Sequence, residues 1–349
     1  MKKIISIVGA RPNFIKLAAI HKVLIKEYEH IIIHTGQHYD YSMDQSFFQE
    51  FKLPKPNFNL RAGANSFAKQ FSKMLIGCEK YLSKINPKLV IVYGDTNSTL
   101  AGALSAAKLK IPIAHFEAGA RCYDKTVPEE QNRIIVDHIS ELLFPHSSKF
   151  VENLKREGIE KNVILMSDPM LEILKVTKAN NRILNNLKIS KKDYYLLTIH
   201  REENTVDQQK FAQILSAVNK LNTTVIFPVH PRSIKLLKNI KFKINNLKII
   251  KPVKFDEMFT LAQNALGVIT DSGGLQKEAY WLKTPCFTLR ESTEWQETVE
   301  SGWNVLIGSD TKNIANIVNR YKIPKVHQNF YSHGVPIKKL NEILRNYLS

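Results

Sequence analysis

Short runs of consecutive apolar residues alternate along the chain with longer stretches in which apolar positions recur every three or four residues. IISIV (4–8), HIIIH (30–34), LVIVY (89–93), PIAHF (112–116), LLF (142–144) and VILM (163–166) are too short for helices and apolar almost throughout, the pattern of strands covered on both faces. FIKLAAIHKVLIKEY and LAGALSAAKLK lie between them with helical periodicity, so the alternation predicts β-α-β units and a parallel sheet. The pattern restarts at YYLLTI (194–199) and runs through TTVIFPV (223–229), LKII (247–250), ALGVIT (265–270), PCFTL (285–289) and NVLIG (304–308), which predicts a second doubly wound α/β unit. A polar stretch rich in Asn and Lys, residues 177–193, separates the two. The expected division is a first Rossmann-like domain over 1–176, a second over 177–332, and an amphipathic terminal helix within 333–349 that packs back on the first.

A chain of 349 residues suits two domains of ordinary size. Apolar residues at 44% and charged residues at 23% match an ordinary globular composition and argue against disorder or membrane spans. The apolar stretch after the first two lysines is only five residues long, which predicts a first strand and not a signal-peptide core. Cys78, Cys122 and Cys286 are widely spaced with no C-x-x-C pair, so reduced thiols and a cytoplasmic location are expected, without a disulfide frame or a zinc site. The formal charge of +18 raises a nucleic-acid reading, and residues 235–254 alone carry seven lysines. Those lysines alternate with Leu, Ile and Phe as on one wet face of a helix and a strand, and no nucleic-acid signature accompanies them. The charge nonetheless favours an anionic ligand such as a nucleotide diphosphate.

Candidate chemistry gathers just past the apolar runs, at the carboxyl edge where open α/β sheets place ligands. VGARPNFIK puts Gly9 at a bend and Arg11 where a guanidinium reaches an anion, or else caps or pairs locally. HTGQHYD (34–40) repeats the arrangement with Gln37 and His38, and its two histidines lack the acid of a metalloprotease motif, so no metal is expected. Asp95 in GDTNSTLAG stands where a helix N-cap is the commonest use. Glu117 in HFEAGAR is a poor cap between a strand and a glycine turn. Glu129 and Glu130 in PEEQNR start a helix, where acids meet the macrodipole favourably. Three acids along one sheet edge exceed what capping requires, and clustered carboxylates supply an acid and a base near neutral pH. In the second half His200 leaves a strand end beside Arg201, and His230 and Arg232 repeat the theme. DSGG (271–274) is a tight turn into a helix: Gly273 and Gly274 admit a diphosphate, Ser272 donates to it, and Glu278 one turn later accepts ribose hydroxyls. Dinucleotide and nucleoside-triphosphate motifs are absent.

GARPNFIK, HTGQHYD, GDTNSTLAGAL, HFEAGAR, PEEQNR, HREENT, PVHPR and DSGGLQKEA follow one another in an order that resembles the non-hydrolysing UDP-N-acetylglucosamine 2-epimerase family from Lys3 to about Gly308. The resemblance implies two Rossmann-like domains facing across a cleft in the glycosyltransferase-B arrangement, a homodimer, a UDP-sugar substrate, and no metal or redox cofactor. It implies Arg11, His230, Ser272, Gly273, Gly274 and Glu278 as UDP ligands and Asp95, Glu117, Glu129 and His200 for the chemistry. The implied reaction interconverts UDP-N-acetylglucosamine and its manno isomer, a step toward surface polysaccharide, by eliminating UDP to a 2-acetamidoglucal and adding it back. The chain departs from the family pattern at Met166-Ser167-Asp168-Pro169, at Trp295 and at Ser332-His333-Gly334, which leaves substrate activation open. Two alternatives remain: a UDP-2,3-diacetamido-glucuronate 2-epimerase, whose extra charge would need Arg121, Arg133 or Arg201, and a glycosyltransferase of the same architecture.

Overall fold

Two sheets carry the architecture in the computed structural model, which describes residues 1–37, 47–63, 66–229, 231–238, 240, 243–308 and 313–349. The chain divides into one unit of Met1–Val176 with Asn329–Ser349 and another of Thr177–Gln328. In the first, β1 (Lys3–Val8), β2 (Glu29–His34), β3 (Phe58–Asn59), β4 (Leu89–Tyr93), β5 (Ile113–Phe116) and β6 (Leu142–Phe144) form a sheet of order β3-β2-β1-β4-β5-β6. In the second, β7 (Tyr194–Thr198), β8 (Thr224–Pro228), β9 (Leu247–Ile250), β10 (Gly267–Thr270), β11 (Cys286–Thr288) and β12 (Asn304–Leu306) form a sheet of order β12-β11-β10-β7-β8-β9. Every described pairing is parallel, and both units share the doubly wound order 3-2-1-4-5-6.

The apolar runs become these strands because both faces are covered. Ile5, Ile7, Val90, Val92 and Ile113 join one buried cluster of the first unit, while their neighbours Ile4, Ile91 and Ala114 are also fully buried. In the second unit Leu197, Val225 and Ile269 point into one cluster and Leu196, Ile226 and Val268 into another. The run at 163–166 is an exception, since it makes only isolated bridges, Leu143 with Val163 and Met166 with Val335. The two-residue β3 escaped the sequence reading because so short a segment has no periodicity to detect. At one edge of the second sheet, Lys248 and Ile249 of β9, whose side chains point to opposite faces, are both exposed.

Helices α1 (Arg11–Leu24), α2 (Asn97–Lys108) and α3 (Pro128–His138) follow β1, β4 and β5. α4 (Pro169–Val176) ends the first stretch of that unit. α5 (Gly273–Trp281) follows β10, and α6 (Leu340–Leu348) returns to α1, where Asn341 donates to the Val23 carbonyl at 2.8 Å and Arg345 pairs with Glu27 at 3.1 Å. Among the described residues no helix is long and apolar enough to cross a membrane. Cys78, Cys122 and Cys286 are free and buried, and burial pushes the thiols of Cys78 and Cys286 up to about 12.

A hydrogen-bonded chain enters the first sheet from α1: His21 Nδ1 meets His30 Nδ1 at 2.8 Å, His30 Nε2 meets Ser6 Oγ at 2.7 Å, and Ser6 Oγ meets the Tyr93 hydroxyl at 2.7 Å. Burial, with His21 adding to it, lowers His30 from 6.5 to about 3. The unfolded chain therefore takes up a proton that the folded chain refuses, so this contribution to stability is complete above 6.5 and is lost progressively as the pH falls toward 3. Urea unfolding should show the wild type losing roughly 1–2 kcal/mol more than His30→Gln between about pH 7 and about pH 5. Parallel pH slopes for the two proteins would contradict this.

Candidate active site

In each unit the connections leave two neighbouring strands in opposite directions, β1 and β4 in the first, β7 and β10 in the second, which opens a crevice at their carboxyl ends. The first crevice is held by Asn13, whose Oδ1 accepts from the Gly9 and Ala10 N–H groups at 3.2 and 3.1 Å while its Nδ2 donates to the Tyr93 carbonyl at 2.9 Å. Gly9 is glycine for space: a Cβ there would lie 2.0 Å from Thr35 Oγ1 and 2.1 Å from Ser98 Oγ. Arg11 opens α1, half-buried, with its guanidinium 4.7 Å from the centre of the Phe47 ring. Gln37 Oε1 accepts from both Ser98 N and Ser98 Oγ, while His38 lies outside the described residues.

Asp95 follows β4 and is not the cap of α2. Thr96 is the cap, accepting from Thr99 N, while the Asp95 carboxylate pairs with Arg133 of α3 and its carbonyl accepts from Asn132 at 2.8 Å. Glu117 follows β5 with φ +74, a left-handed conformation that costs a non-glycine residue about 1–2 kcal/mol. Its side chain is buried and Oε2 lies 2.8 Å from Lys16 Nζ. Lys16 was missed in the sequence reading, although a lysine on the apolar stripe of α1 (FIKLAA) was the available signal; it is only 2% exposed.

Beneath Glu117 a buried polar frame sets the loop. His115 bridges Asp137 at 2.7 Å and the Gly94 carbonyl at 2.8 Å. Asp137 also accepts from Gly119 N and pairs with Arg121 at 2.8 Å, and Arg121 holds Glu157 with its Nε at 2.7 Å. Burial pushes the Asp137 carboxyl up, but His115, Arg121 and the Gly119 amide outweigh it and hold it below its ordinary value.

The two acids of PEEQNR separate cleanly. Glu130 is 1% exposed and accepts from Cys122 N, Tyr123 N and Arg133 Nη1, a bracing role that the macrodipole argument did not foresee. Glu129 is half-buried. Arg133 thus joins Glu130 to Asp95, while Arg121 is committed to Asp137 and Glu157.

The second crevice turns on Asp271, fully buried at the end of β10. Its carboxylate accepts from the His200 and Arg201 N–H groups at 3.0 Å each and from Asn204 Nδ2 at 3.2 Å, and lies 3.1 Å from His200 Nδ1. Burial works against ionisation here, yet His200 beside the carboxylate and these hydrogen bonds outweigh it and bring Asp271 down to about 2. The His200 side chain itself is 40% exposed. Ser272 is the N-cap of α5, its Oγ accepting from Leu275 N. Gly273 and Gly274 are half-buried in the first turn, and Glu278, buried, follows one turn later. A Cβ on Gly273 would meet Glu294 Oε1 at 2.6 Å. Trp295, buried, donates from Nε1 to the Gly273 carbonyl at 2.8 Å and carries Lys277 Nζ 4.0 Å from its ring centre, while Arg290 pairs with Glu294 at 2.9 Å. His230 lies outside the described residues. The first crevice thus presents ionisable acids and the second a helix N-terminus beside a histidine, an arrangement suited to proton transfer and to anion binding respectively.

Among the described residues one ring nitrogen of His146 and one carboxylate oxygen from each of Glu117 and Asp168 lie within 4.8 Å of one another, a grouping that spacing in the sequence did not reveal.

The family model for UDP-N-acetylglucosamine 2-epimerase matches residues 23–345. A UDP-N-acetylglucosamine 2-epimerase homolog of Methanococcus maripaludis is 47% identical, covering 99% of both chains. The UDP-2,3-diacetamido-2,3-dideoxy-D-glucuronate 2-epimerase of Pseudomonas aeruginosa is 40% identical over 88% of both. The crystal structure of Methanocaldococcus jannaschii UDP-GlcNAc 2-epimerase in complex with UDP-GlcNAc and UDP superposes with a TM-score of 0.87 at 39% identity, covering 99% of each chain. With one family pattern running through both crevices and almost the full length, the chain belongs to the UDP-N-acetylglucosamine 2-epimerase family.

Proposed function

We propose that this chain interconverts UDP-N-acetylglucosamine and UDP-N-acetylmannosamine. The hydrogen at C2 of a 2-acetamido sugar is scarcely acidic, so its removal is coupled to breaking the C1–O bond. A carboxylate takes the C2 proton, the C–H electrons form the C1=C2 bond of a 2-acetamidoglucal, and UDP departs with the C1–O pair. Return of UDP to C1 with a proton delivered to the opposite face of C2 inverts that centre. The observation that carries this reading is Glu117, buried, ion-paired to Lys16 and held in a left-handed conformation just past β5, the neighbour of the strand β4 that leads to Asp95. Asp95, Glu117 and Glu129 are assigned to proton transfer. His200 and Arg11 are assigned to the departing diphosphate, Ser272, Gly273 and Gly274 to retaining it, and Glu278 to the ribose; His230 completes the proposed UDP ligands. The reading extends to a homodimer in the cytoplasm without a cofactor, and three buried free cysteines suit a reducing compartment.

The diacetamido-uronate alternative needs a cation for the C5 carboxylate. Two of the three candidate arginines, Arg121 and Arg133, are already bound to acids, which favours the uncharged N-acetylglucosamine ring and leaves Arg201 as the remaining candidate for a uronate. In a side-by-side assay kcat/KM should favour UDP-N-acetylglucosamine; a roughly hundredfold preference for the uronate, about 2.7 kcal/mol of transition-state discrimination, would reverse the choice.

In heavy water the protein should place deuterium at C2 of UDP-N-acetylglucosamine and produce the manno isomer, both read by NMR. Quantitative UDP release without C2 exchange would sink the proposal in favour of transfer or hydrolysis.

Asp95→Asn, Glu117→Gln and Glu129→Gln should each lower turnover by about two orders of magnitude or more, with UDP affinity by calorimetry largely retained. Glu130→Ala should differ in kind: it leaves the Cys122 and Tyr123 amides without this acceptor and takes one carboxylate from Arg133, which keeps Asp95, and should cost about 1–3 kcal/mol in urea unfolding, whereas Glu129→Gln, an isosteric change at a half-buried position, should cost much less. Equal stability losses for the two would show that the roles were divided wrongly.

A further inference from the structure

Trp295 stands outside the residues assigned above, yet it is tied to the turn that carries Ser272, Gly273 and Gly274. It sits in the loop after β11, and its buried indole donates from Nε1 to the Gly273 carbonyl at 2.8 Å. The same loop reaches α5 again through Thr293, whose Oγ1 donates to Gln276 Oε1 at 2.7 Å and accepts from Trp295 N at 3.2 Å. Asn304 of β12 donates to that Gln276 oxygen and to Thr298 Oγ1, each at 3.1 Å, and Thr298 Oγ1 donates in turn to the Trp295 carbonyl at 2.6 Å. Lys277 Nζ lies 4.0 Å from the centre of the Trp295 ring. Backbone and ring face are thus both held, and the indole N–H keeps one direction. Glycine at 273 serves this arrangement: a Cβ there would lie 2.6 Å from Glu294 Oε1 and 3.7 Å from Trp295 Nε1, so the open side of the glycine is filled by the protein's own loop.

The indole bond acts on a single peptide unit. The Gly273 carbonyl and the Gly274 N–H belong to the same planar trans peptide, in which C=O and N–H point in opposite directions. As the first residue of α5, Gly273 also offers that carbonyl to the helix ladder, so the indole is an added donor and not the rescue of a stranded acceptor. Ser272 engages Leu275 N, while the Gly274 N–H points out of the helix N-terminus, the end that attracts anions. A donor on the carbonyl fixes the peptide plane. It also polarises the peptide, which makes the N–H at the other end a stronger donor.

We propose that Trp295 is a positioning residue for the diphosphate: through the Gly273 carbonyl it aims and strengthens the Gly274 N–H that retains UDP. The proposal rests on the reading in which the 272–274 turn holds the diphosphate. As the C1–O bond breaks, the departing oxygen and its phosphate gather negative charge, and a polarised amide gains most at that moment. Trp295 thereby keeps UDP in place while the glycal awaits its return.

Two tryptophans of the second unit, compared in the full-length protein, test this. Trp303 also donates from Nε1 to a backbone carbonyl, that of Val326 at 2.9 Å, and so provides the control. UDP affinity by calorimetry, and the UDP set free per manno product formed, are measured for wild type, Trp295→Phe and Trp303→Phe. Trp295→Phe removes the donor and keeps a ring beside Lys277; it should weaken UDP binding roughly fivefold or more and raise the share of turnovers that leave UDP in solution. Trp303→Phe loses a bond of the same kind and should leave both within about twofold of wild type. Unchanged UDP affinity in Trp295→Phe, or equal losses in the two variants, would overturn the proposal. Where Trp295→Phe folds poorly, the wild type decides by NMR: among the indole protons of its three tryptophans, saturating UDP should move that of Trp295 and leave that of Trp303 in place. A Trp295 signal that stays put would overturn the proposal as well. Wild-type protein that takes up no UDP would instead remove the assignment of this turn to the diphosphate.

Discussion

The chemistry of both units depends on one topological constraint: in a parallel sheet of order 3-2-1-4-5-6, the first and fourth strands are neighbours whose connections must diverge. Divergence leaves backbone amides and carbonyls at the strand ends without a covering helix, and the chain satisfies them with side chains. Asn13 does this between β1 and β4, and Asp271 between β10 and β7. Both bind across the crevice at the backbone level, so the loops bearing Arg11 and Asp95, and those bearing His200 and Ser272, are fixed by the residues that repair the gap. A short polar residue at each switch point therefore sets local stability and the placement of groups available for catalysis.

The first unit invests heavily in buried charge. His115, Asp137, Arg121, Glu157, Glu130, Arg133, Lys16 and Glu117 form ion pairs that well-packed apolar residues of similar size could replace without loss of stability. Their value lies in direction. A carboxylate caught between several fixed donors cannot rotate, and Asp95 and Glu117 are each held by a cation that is itself anchored or buried. By contrast the second unit surrounds the buried Asp271 carboxylate with backbone and amide donors and leaves the His200 side chain partly open.

Apolar runs were legible as strands wherever both faces are buried, because no polar interruption blurs them, and the glycine turn of DSGG announced a helix N-terminus. What escaped notice depends on partners distant in the chain. Lys16 reads as one more lysine until Glu117 comes to meet it, and Glu130 is indistinguishable from Glu129 until the 122–123 backbone folds over it. Trp295, noted only as a departure from the family pattern, is buried and braces the glycine turn through the Gly273 carbonyl. The segment 163–166 has strand composition but faces too few partners to extend a ladder, since Val163 bridges β6 and Met166 bridges Val335.

The left-handed backbone of Glu117 has a consequence for how such a protein changes over generations. A glutamate at φ +74 costs about 1–2 kcal/mol relative to glycine, but its loss would leave the buried Lys16 ammonium without its carboxylate at a cost of about 3–5 kcal/mol. Relaxing the strain at 117 therefore lowers stability unless position 16 changes in the same lineage. A lineage that loses one of the pair is under pressure to lose the other, so residues 16 and 117 change together or not at all.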